Sequence, residues 1–316
     1  MKKHTDIKKF REKYGTTNLC LRALLEFRMS PDRLCFNPEC YAPIDKYYHL
    51  LKGRKAFICS RCLKPIHPMA ESFFDHSKLK PEDWMEVLFF ILSSRGGISA
   101  TFIKNHFGFS YPTAFRMLHT IRRLMGGCLV FDLEGTVVEV DESYVKTGTK
   151  GLGRHYKFAT GRGSLRHTSI LSITERGGVA KLIVIPSTDA DSIIPVILEN
   201  VPKSTIIHTD SWGAYNKLKE LGYEHCVVNH SVEFVDQDAD SSTIPSTNTS
   251  ENLFSNLKRM IAGTYRSVSD AYLQHYCWEQ AFRHSFRFEE DYGFEILMKK
   301  SLRSLSETYG EKKQAA

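Results

Sequence analysis

The chain has 316 residues, 42% of them hydrophobic and 25% charged, which is enough for two or three modules with sizeable cores. No apolar run reaches transmembrane length, and the first residues lack a signal peptide's apolar stretch, so we expect a cytoplasmic protein without membrane contact. The net charge of +7 is uneven, because residues 1–131 hold 22 Lys and Arg against 11 Asp and Glu, and residues 132–316 hold 21 against 25. This favours a nucleic-acid-binding module fused to a metal-binding catalytic module, although an ordinary solvated basic surface has the same charge.

The first distinctive motif follows an N-terminal helical segment, residues 1–30, and consists of four cysteines. They form two close pairs separated by eighteen residues: Cys35 with Cys40, and Cys59 with Cys62. Because thiolates suit zinc and two such pairs can surround one ion, the pattern predicts one structural Zn2+ in a zinc ribbon spanning residues 31–72. The alternative is a set of buried or disulfide-linked cysteines, which a cytosolic location disfavours.

Three helical patterns occupy residues 78–128. The second ends at Gly108, and the third begins after Ser110, a residue that can cap a helix. Helix, glycine turn and capped helix predict a helix-turn-helix, although a plain three-helix bundle would need the same apolar positions. The predicted DNA-contacting side chains lie near the start of the third helix and at its two later arginines: Tyr111, Thr113, Arg116, Arg122 and Arg123.

The segment TVVEVDESYV has the features of a buried strand, since its valines are β-branched and show no helical period. Asp141 lies inside this apolar run. Burying an unpaired carboxylate costs several kcal/mol, so a metal ion is the commonest reason to tolerate one. The alternative is a solvated aspartate at a frayed strand end.

Beyond this strand the patterns predict two strands joined by Arg176, Gly177 and Gly178, then a helix, a strand, a helix, a fifth strand and a further helix. This is the element order of the ribonuclease H fold, an α/β architecture with a mixed sheet and flanking helices. We therefore expect residues 132–292 to form a ribonuclease-H-like catalytic domain, preceded by the zinc ribbon and the helix-turn-helix.

That element order predicts an acidic site. The first and fourth strands are neighbours in such a sheet, so Asp141 and Asp210 should approach each other, and a helix after the fifth strand should supply Glu251. Three converging carboxylates can hold two Mg2+ or Mn2+ ions roughly 3.5–4 Å apart for phosphodiester chemistry. Glu251 alone could instead be an acid favoured by a helix N-terminus, and Asn248 is a weaker candidate ligand in the same turn.

The motifs EVDESYV, HTDSWGAY and TNTSENLFSNLKR resemble the three catalytic blocks of bacterial insertion-sequence DDE transposases, in the family numbered fifteen-ninety-five. Upstream, CLRALLEFRMSPDRLCFNPEC, ICSRCLKPI and SYPTAFRMLHTIRRLM are similar to that family's zinc ribbon and helix-turn-helix. The resemblance covers roughly residues 10–290. The first cysteine pair departs from the family pattern by its four-residue spacing, which zinc sites allow.

The resemblance implies a transposase that binds terminal inverted repeats and target DNA and acts as a homo-oligomer on double-stranded DNA. It implies Asp141, Asp210 and Glu251 as the triad, with Lys258 as its basic companion. Lys258 and Arg259 are expected to contact DNA, and residues 293–316 are expected to form a charged tail. The alternatives are a nuclease or resolvase without strand transfer, and a zinc-ribbon DNA-binding regulator derived from a transposase.

Overall fold

The computed structural model describes these residues: 6–29, 33–37, 39–51, 53–73, 75–130, 137–148, 167–228, 246–289 and 293–302. The chain forms two compact units, Met1–Leu124 with Glu289–Ala316, and Met125–Phe288. The predicted boundaries at residues 31, 132 and 292 and the tail beyond residue 302 lie outside the described residues. Within the described part, no helix is both long enough and apolar enough to cross a bilayer.

The first unit begins with three helices, a small sheet and three further helices. Their bounds are α1 Ile7–Tyr14, α2 Thr17–Arg28, α3 Ile44–Tyr47, β1 Tyr48–Leu50, β2 Phe57–Cys59, β3 Pro65–Ile66, α4 Pro81–Ser93, α5 Ala100–Phe107 and α6 Tyr111–Gly127, whose last three residues belong to the second unit. The small sheet is antiparallel in the order β1-β2-β3. Its strands were not predicted, because each has only two or three residues and shows no readable period.

The second unit alternates strands with helices. Its elements are β4 Val137–Lys146, β5 His167–Glu175, β6 Ala180–Ile185, α7 Ala190–Asn200, β7 Ile206–Thr209, a 3₁₀ helix Gly213–Leu218, β8 Glu224–Val227, α8 Asn248–Met260, a π-helical turn Ile261–Tyr265 and α9 Asp270–Ser285. The segment predicted as an amphipathic helix after β7 is therefore a short 3₁₀ helix. Gly213 and Asn216 both have low α-helix propensity, which is consistent with this outcome.

The five strands form one mixed sheet in the order β6-β5-β4-β7-β8. Strand β4 pairs antiparallel with β5 and parallel with β7. The predicted adjacency of the first and fourth strands is confirmed. The unit is thus mixed α/β, with its longest strand at the centre of the sheet.

Side chains on β4 alternate between two faces, as the two-residue period of a strand requires. Val138 and Val140 are buried in a cluster with residues of α7 and the 3₁₀ helix. Val145 packs in a second cluster with residues of α8 and α9. From Val138 to Val145, odd-numbered residues of β4 therefore face α8, and even-numbered residues face α7.

The N-terminus of α8 is capped from the sheet. The N-cap residue Thr247 makes no side-chain capping bond. Instead, the buried Glu139 carboxylate on β4 accepts hydrogen bonds from the backbone N–H groups of Thr249, at 2.8 Å, and Ser250, at 3.2 Å. A carboxylate stabilises a helix N-terminus both by accepting these bonds and by opposing the helix dipole.

Glu139 also has a cationic partner. Arg176 donates from Nε to a Glu139 carboxylate oxygen at 3.1 Å, and its guanidinium lies 3.3 Å from Nδ1 of His208. Burial, and then the Arg176 charge, lower the pKa of His208 to about 4, so its imidazole is neutral near pH 7. The buried acid is thus paired, as a buried charge must be if its desolvation is to be offset.

The last described element is a helix of the first unit. Helix α10, Phe294–Ser301, buries Phe294, Leu297 and Met298. The Phe294 ring lies 5.7 Å from the ring of Phe10 on α1, centroid to centroid. Only a charged tail was expected here. The structure corrects that prediction for residues 294–301, because their apolar side chains recur at helical spacing and pack on α1.

Replacing Glu139 by Ala should loosen α8 selectively. The change leaves Arg176 without its carboxylate partner and two N–H groups of α8 without an acceptor. The free energy of local unfolding of α8 should therefore fall by about 3 kcal/mol. Amide hydrogen exchange over residues 248–260 should accelerate roughly 100-fold, with little change over α7.

The exposed Glu224 provides the matched control, since Glu224→Ala removes a carboxylate from β8 that caps no helix among the described residues. Equal exchange over residues 248–260 in Glu139→Ala and Glu224→Ala would contradict the capping role.

Candidate active site and metal centre

Asp141 lies inside strand β4 and not at a frayed end. It pairs in register with Ser172 of β5, and the strand continues five residues further to Lys146. Its carboxylate accepts a hydrogen bond from the backbone N–H of Glu142 at 2.9 Å. The sheet therefore fixes the backbone that presents this carboxylate.

Asp210 follows the last residue of the neighbouring strand. The parallel register pairs Glu139 with His208, and continuing it by two residues brings Asp210 level with Asp141. Adjacent strands lie roughly 4.8 Å apart, so the two backbones are close at this point. The Asp210 carboxylate accepts from the backbone N–H of Trp212 at 2.9 Å, in a turn that directs the chain away from the sheet.

Glu251 is exposed in the first turn of α8, which lies along β4. One end of the helix is held by Glu139, and further along it the Lys258 ammonium donates to the Ser143 hydroxyl at 2.7 Å. The four strand residues from Glu139 to Ser143 rise about 13 Å, and the nine helix residues from Thr249 to Lys258 rise about 13.5 Å. The helix and the strand therefore span equal lengths between the two contacts, and Asp141 lies on the strand midway between Glu139 and Ser143.

Asp141 lies close to several other negatively charged side chains. Its pKa is raised to about 7, chiefly by burial and then by the charges of Glu142, Asp210 and Glu251, against a lowering by the Glu142 N–H. Glu142 points to the other face, where its carboxylate accepts from the Tyr215 hydroxyl at 2.5 Å. The carboxylate oxygens of Asp141, Asp210 and Glu251 are ligands that suit Mg2+ or Mn2+. A divalent cation would relieve the repulsion among these three carboxylates.

The three carboxylates approach one another less closely than the cysteines do. Among the described residues, only the four cysteines form a group of three or more His, Cys, Asp or Glu whose ligand atoms all lie within 4.8 Å of one another. The structure therefore places Asp141, Asp210 and Glu251 within electrostatic range of one another without closing them to that distance. Asn248 is exposed at the first residue of the same helix, and its side chain has no hydrogen bond among those described.

The four cysteines form the second candidate metal site. The sulfur of Cys35 lies 3.8 Å from that of Cys62, and the sulfur of Cys40 lies 3.8 Å from that of Cys59. A tetrahedron with Zn–S bonds of about 2.3 Å has S···S edges of about 3.8 Å, so the spacing fits a zinc ion. The Tyr48 hydroxyl also donates to the Cys35 sulfur at 3.2 Å, as expected of a group that supports a ligating thiolate.

The residues predicted to contact DNA in α6 have different environments. Tyr111, Arg116 and Arg123 are exposed, and the Thr113 hydroxyl lies 2.9 Å from that of Ser110. Arg122 is only 1% exposed, so the structure does not support the prediction that it contacts DNA. It follows Leu118 by one helical turn, and this places it on the buried face of the helix.

Glu139 is the important residue that the sequence interpretation missed. It is two residues before Asp141 on the same face of β4, and its strand neighbour is His208, two residues before Asp210. A paired layer, Glu139 with His208, therefore lies next to the layer that holds the two aspartates. The available signal was a second acid at an inward position between two buried valines.

Comparisons with known protein sequences find similarity to transposases. The family model of the ISXO2-like transposase domain matches residues 132–285. An uncharacterized protein in transposable element ISH50 of Halobacterium salinarum is 24% identical over 220 residues, covering 66% of this chain and 74% of that protein. An uncharacterized transposase-like protein of Haemophilus influenzae is 30% identical over 54 residues, 17% of this chain and 44% of that protein.

Two solved structures align only loosely. A pre-cleavage Mos1 transpososome gives a TM-score of 0.19 at 11% identity, and a Mos1 strand transfer complex gives 0.20 at 13%. Each alignment covers 62% of this chain and 74% of the other chain, and at these scores neither carries a structural argument. The family match is more informative: residues 132–285 match the ISXO2-like transposase domain, in agreement with the transposase family that the motifs resemble.

Proposed function

We propose that this protein is a DDE transposase that binds the terminal inverted repeats of an insertion sequence and catalyses metal-dependent strand cleavage and strand transfer. The observation that carries the proposal is the parallel register of β4 with β7, which sets Asp210 beside Asp141 within an ISXO2-like transposase domain. Glu251 comes from a helix that the Glu139 cap and the Lys258 contact hold along the same strand.

The proposed modules follow the described elements. The five-stranded sheet with α7, α8 and α9 is a ribonuclease-H-like catalytic domain. The small sheet beside the four cysteines is a zinc ribbon, and α4 to α6 form a helix-turn-helix around the left-handed Gly108. On this assignment the two N-terminal modules recognise the terminal repeats, with exposed Arg116 and Arg123 available to the DNA.

Asp141, Asp210 and Glu251 would hold two Mg2+ or Mn2+ ions. When bound, these ions would stabilise the charge that develops on the attacking and leaving oxygens of a phosphodiester. Asp141 is held by the sheet and Asp210 by its turn, so both are preorganised, whereas Glu251 is exposed on its helix and can adjust to bound ions. Lys258, whose ammonium reaches Ser143 beside Asp141, would hold a phosphate oxygen in line for attack.

The reaction has two steps on this proposal. First, a water oxygen bonds to phosphorus at the element end, the P–O3′ bond breaks and the water proton is released, which leaves a 3′-OH and a 5′-phosphate. Then the oxygen of that 3′-OH bonds to a phosphorus of target DNA and displaces its 3′-oxygen, which takes up the proton. Both steps need the same in-line geometry, so one site can carry out both.

Removing a triad carboxylate should abolish cleavage while sparing affinity. Asp141→Asn, Asp210→Asn and Glu251→Gln should each lower Mg2+-dependent nicking of terminal-repeat DNA by at least about 1,000-fold, since each removes charge needed in the transition state. Gel-shift affinity in EDTA should change little, because it comes from basic contacts.

Asn248→Ala provides the control in the same helical turn and should cleave like the wild type. The opposite pattern, with Asn248→Ala inactive and Glu251→Gln active, would show that the third ligand has been assigned wrongly.

The cysteine site predicts about one zinc per chain by elemental analysis of the purified protein. Cys40→Ser and Cys59→Ser should lose the zinc, because three thiolates no longer close the tetrahedral shell. Cys226→Ser lies outside the cluster and should keep it. A wild-type protein that folds and binds DNA without zinc would rule out the site.

A further inference from the structure

A basic cleft adjoins the candidate active site. It encloses about 700 Å³ and is lined from the end of β4, the start of β5 and the chain after α8. Four of its lining residues are basic, namely Lys146, His167, Lys258 and Arg266, and none is Asp or Glu. Within the described residues, none of these four side chains pairs with a carboxylate. Among the described residues, the cleft is therefore a local excess of positive charge.

The wall that carries Arg266 has an unusual backbone. Arg266 has φ 65° and ψ −48°, and the N–H of Ser267 donates to the carbonyl of Tyr265 at 2.7 Å. This is a γ-turn of the rare, strained kind, and it costs a non-glycine residue of order 1–3 kcal/mol. Any residue other than glycine would be strained here, so the presence of an arginine points to a role for its side chain.

Two further features shape the same wall. Helix α8 ends in the π-helical turn Ile261–Tyr265, a deviation that is frequent at functional sites. Beyond the γ-turn, the N–H of Gly148 donates to the carbonyl of Val268 at 2.7 Å, which fastens this segment to the chain leaving β4. The strained turn is thus held from both sides, and its position is well defined.

The cleft continues from the carboxylates. Lys258 lies at the junction, since its ammonium contacts Ser143, two residues from Asp141 on β4. Lys146 is five residues from Asp141, about 16 Å along the strand. A few nucleotides of one DNA strand, whose phosphates repeat along the backbone, span that distance.

We infer that this cleft binds the sugar-phosphate backbone of the DNA strand that leads away from the scissile phosphate, with Arg266 and Lys146 as phosphate ligands. The inference rests on the proposed transposase function and adds a strand-binding site to it. Guanidinium and ammonium groups around an open cleft are typical of single-strand binding, where a positive groove follows the backbone. A strand held there would set the position of the scissile phosphate over Asp141 and Asp210.

The positive φ of Arg266 allows the inference to be tested with a variant that keeps the backbone turn. Glycine accepts a positive φ without strain, so Arg266→Gly removes the cation and keeps the turn. Fluorescence anisotropy with a short fluorescein-labelled single-stranded oligonucleotide of mixed sequence, in EDTA, should show about tenfold weaker binding. The slope of log affinity against log salt should become shallower by about 0.7, the value for one phosphate contact, and by about twice that in Lys146→Ala/Arg266→Gly.

The controls separate charge from structure. Lys217→Ala removes an exposed lysine on the 3₁₀ helix and should bind like the wild type, and Arg266→Lys should retain most of the affinity. The melting temperature of Arg266→Gly should equal or exceed that of the wild type. Unchanged affinity and salt slope in Lys146→Ala/Arg266→Gly would overturn the inference. So would an Arg266→Lys variant that loses as much affinity as Arg266→Gly and melts at a lower temperature than the wild type.

Binding and cleavage assays together show whether the inference about the cleft or the proposed function is wrong. The anisotropy assay contains no metal and measures no cleavage, so Asp141→Asn should bind the oligonucleotide normally. If Asp141→Asn still cleaves terminal-repeat DNA, the proposed function is wrong whatever the cleft binds. If Asp141→Asn is inactive and Arg266→Gly binds like the wild type, only the cleft is wrong.

Discussion

The capping of α8 by Glu139 is the interaction on which the candidate active site depends. A carboxylate that is 1% exposed requires partners, and it finds them in two N–H groups of the helix and in Arg176. These bonds fix the start of the helix against the central strand. The contact of Lys258 with Ser143 fixes a point two turns beyond Glu251. Because strand and helix rise by equal amounts between these contacts, Glu251 is held on the same side of the sheet as Asp141.

The polar residues form two layers with opposite electrostatics. In the first, Glu139, Arg176 and neutral His208 balance one another, so this layer stabilises the fold. In the second, Asp141 lies beside Asp210, and burial and the charges of neighbouring carboxylates raise the pKa of Asp141 to about 7. Such an imbalance costs stability in the absence of metal, a common property of catalytic sites. The balanced layer supplies the rigidity that the unbalanced layer needs.

Much of this arrangement could be predicted from sequence, because the signals are local. The β-branched valines of β4 and the spacing of the four cysteines indicated the central strand and the cysteine cluster. What could not be predicted depends on tertiary contacts. The burial of Arg122, the capping role of Glu139 and the attachment of the turn at Arg266 to Gly148 each need partners distant in sequence. Periodicity does not reveal which distant elements will meet.

The central claim is that Asp141, Asp210 and Glu251 together form a divalent-metal site. A crystal structure of the protein with Mn2+, using anomalous scattering to locate the ions, tests it most directly. The account predicts anomalous peaks with oxygen ligands from all three carboxylates, at about 2.0–2.2 Å, and with Glu139 still bonded to the start of α8. Peaks held instead by Glu142 or Glu139, or no peak beside Asp141 at saturating Mn2+, would contradict it.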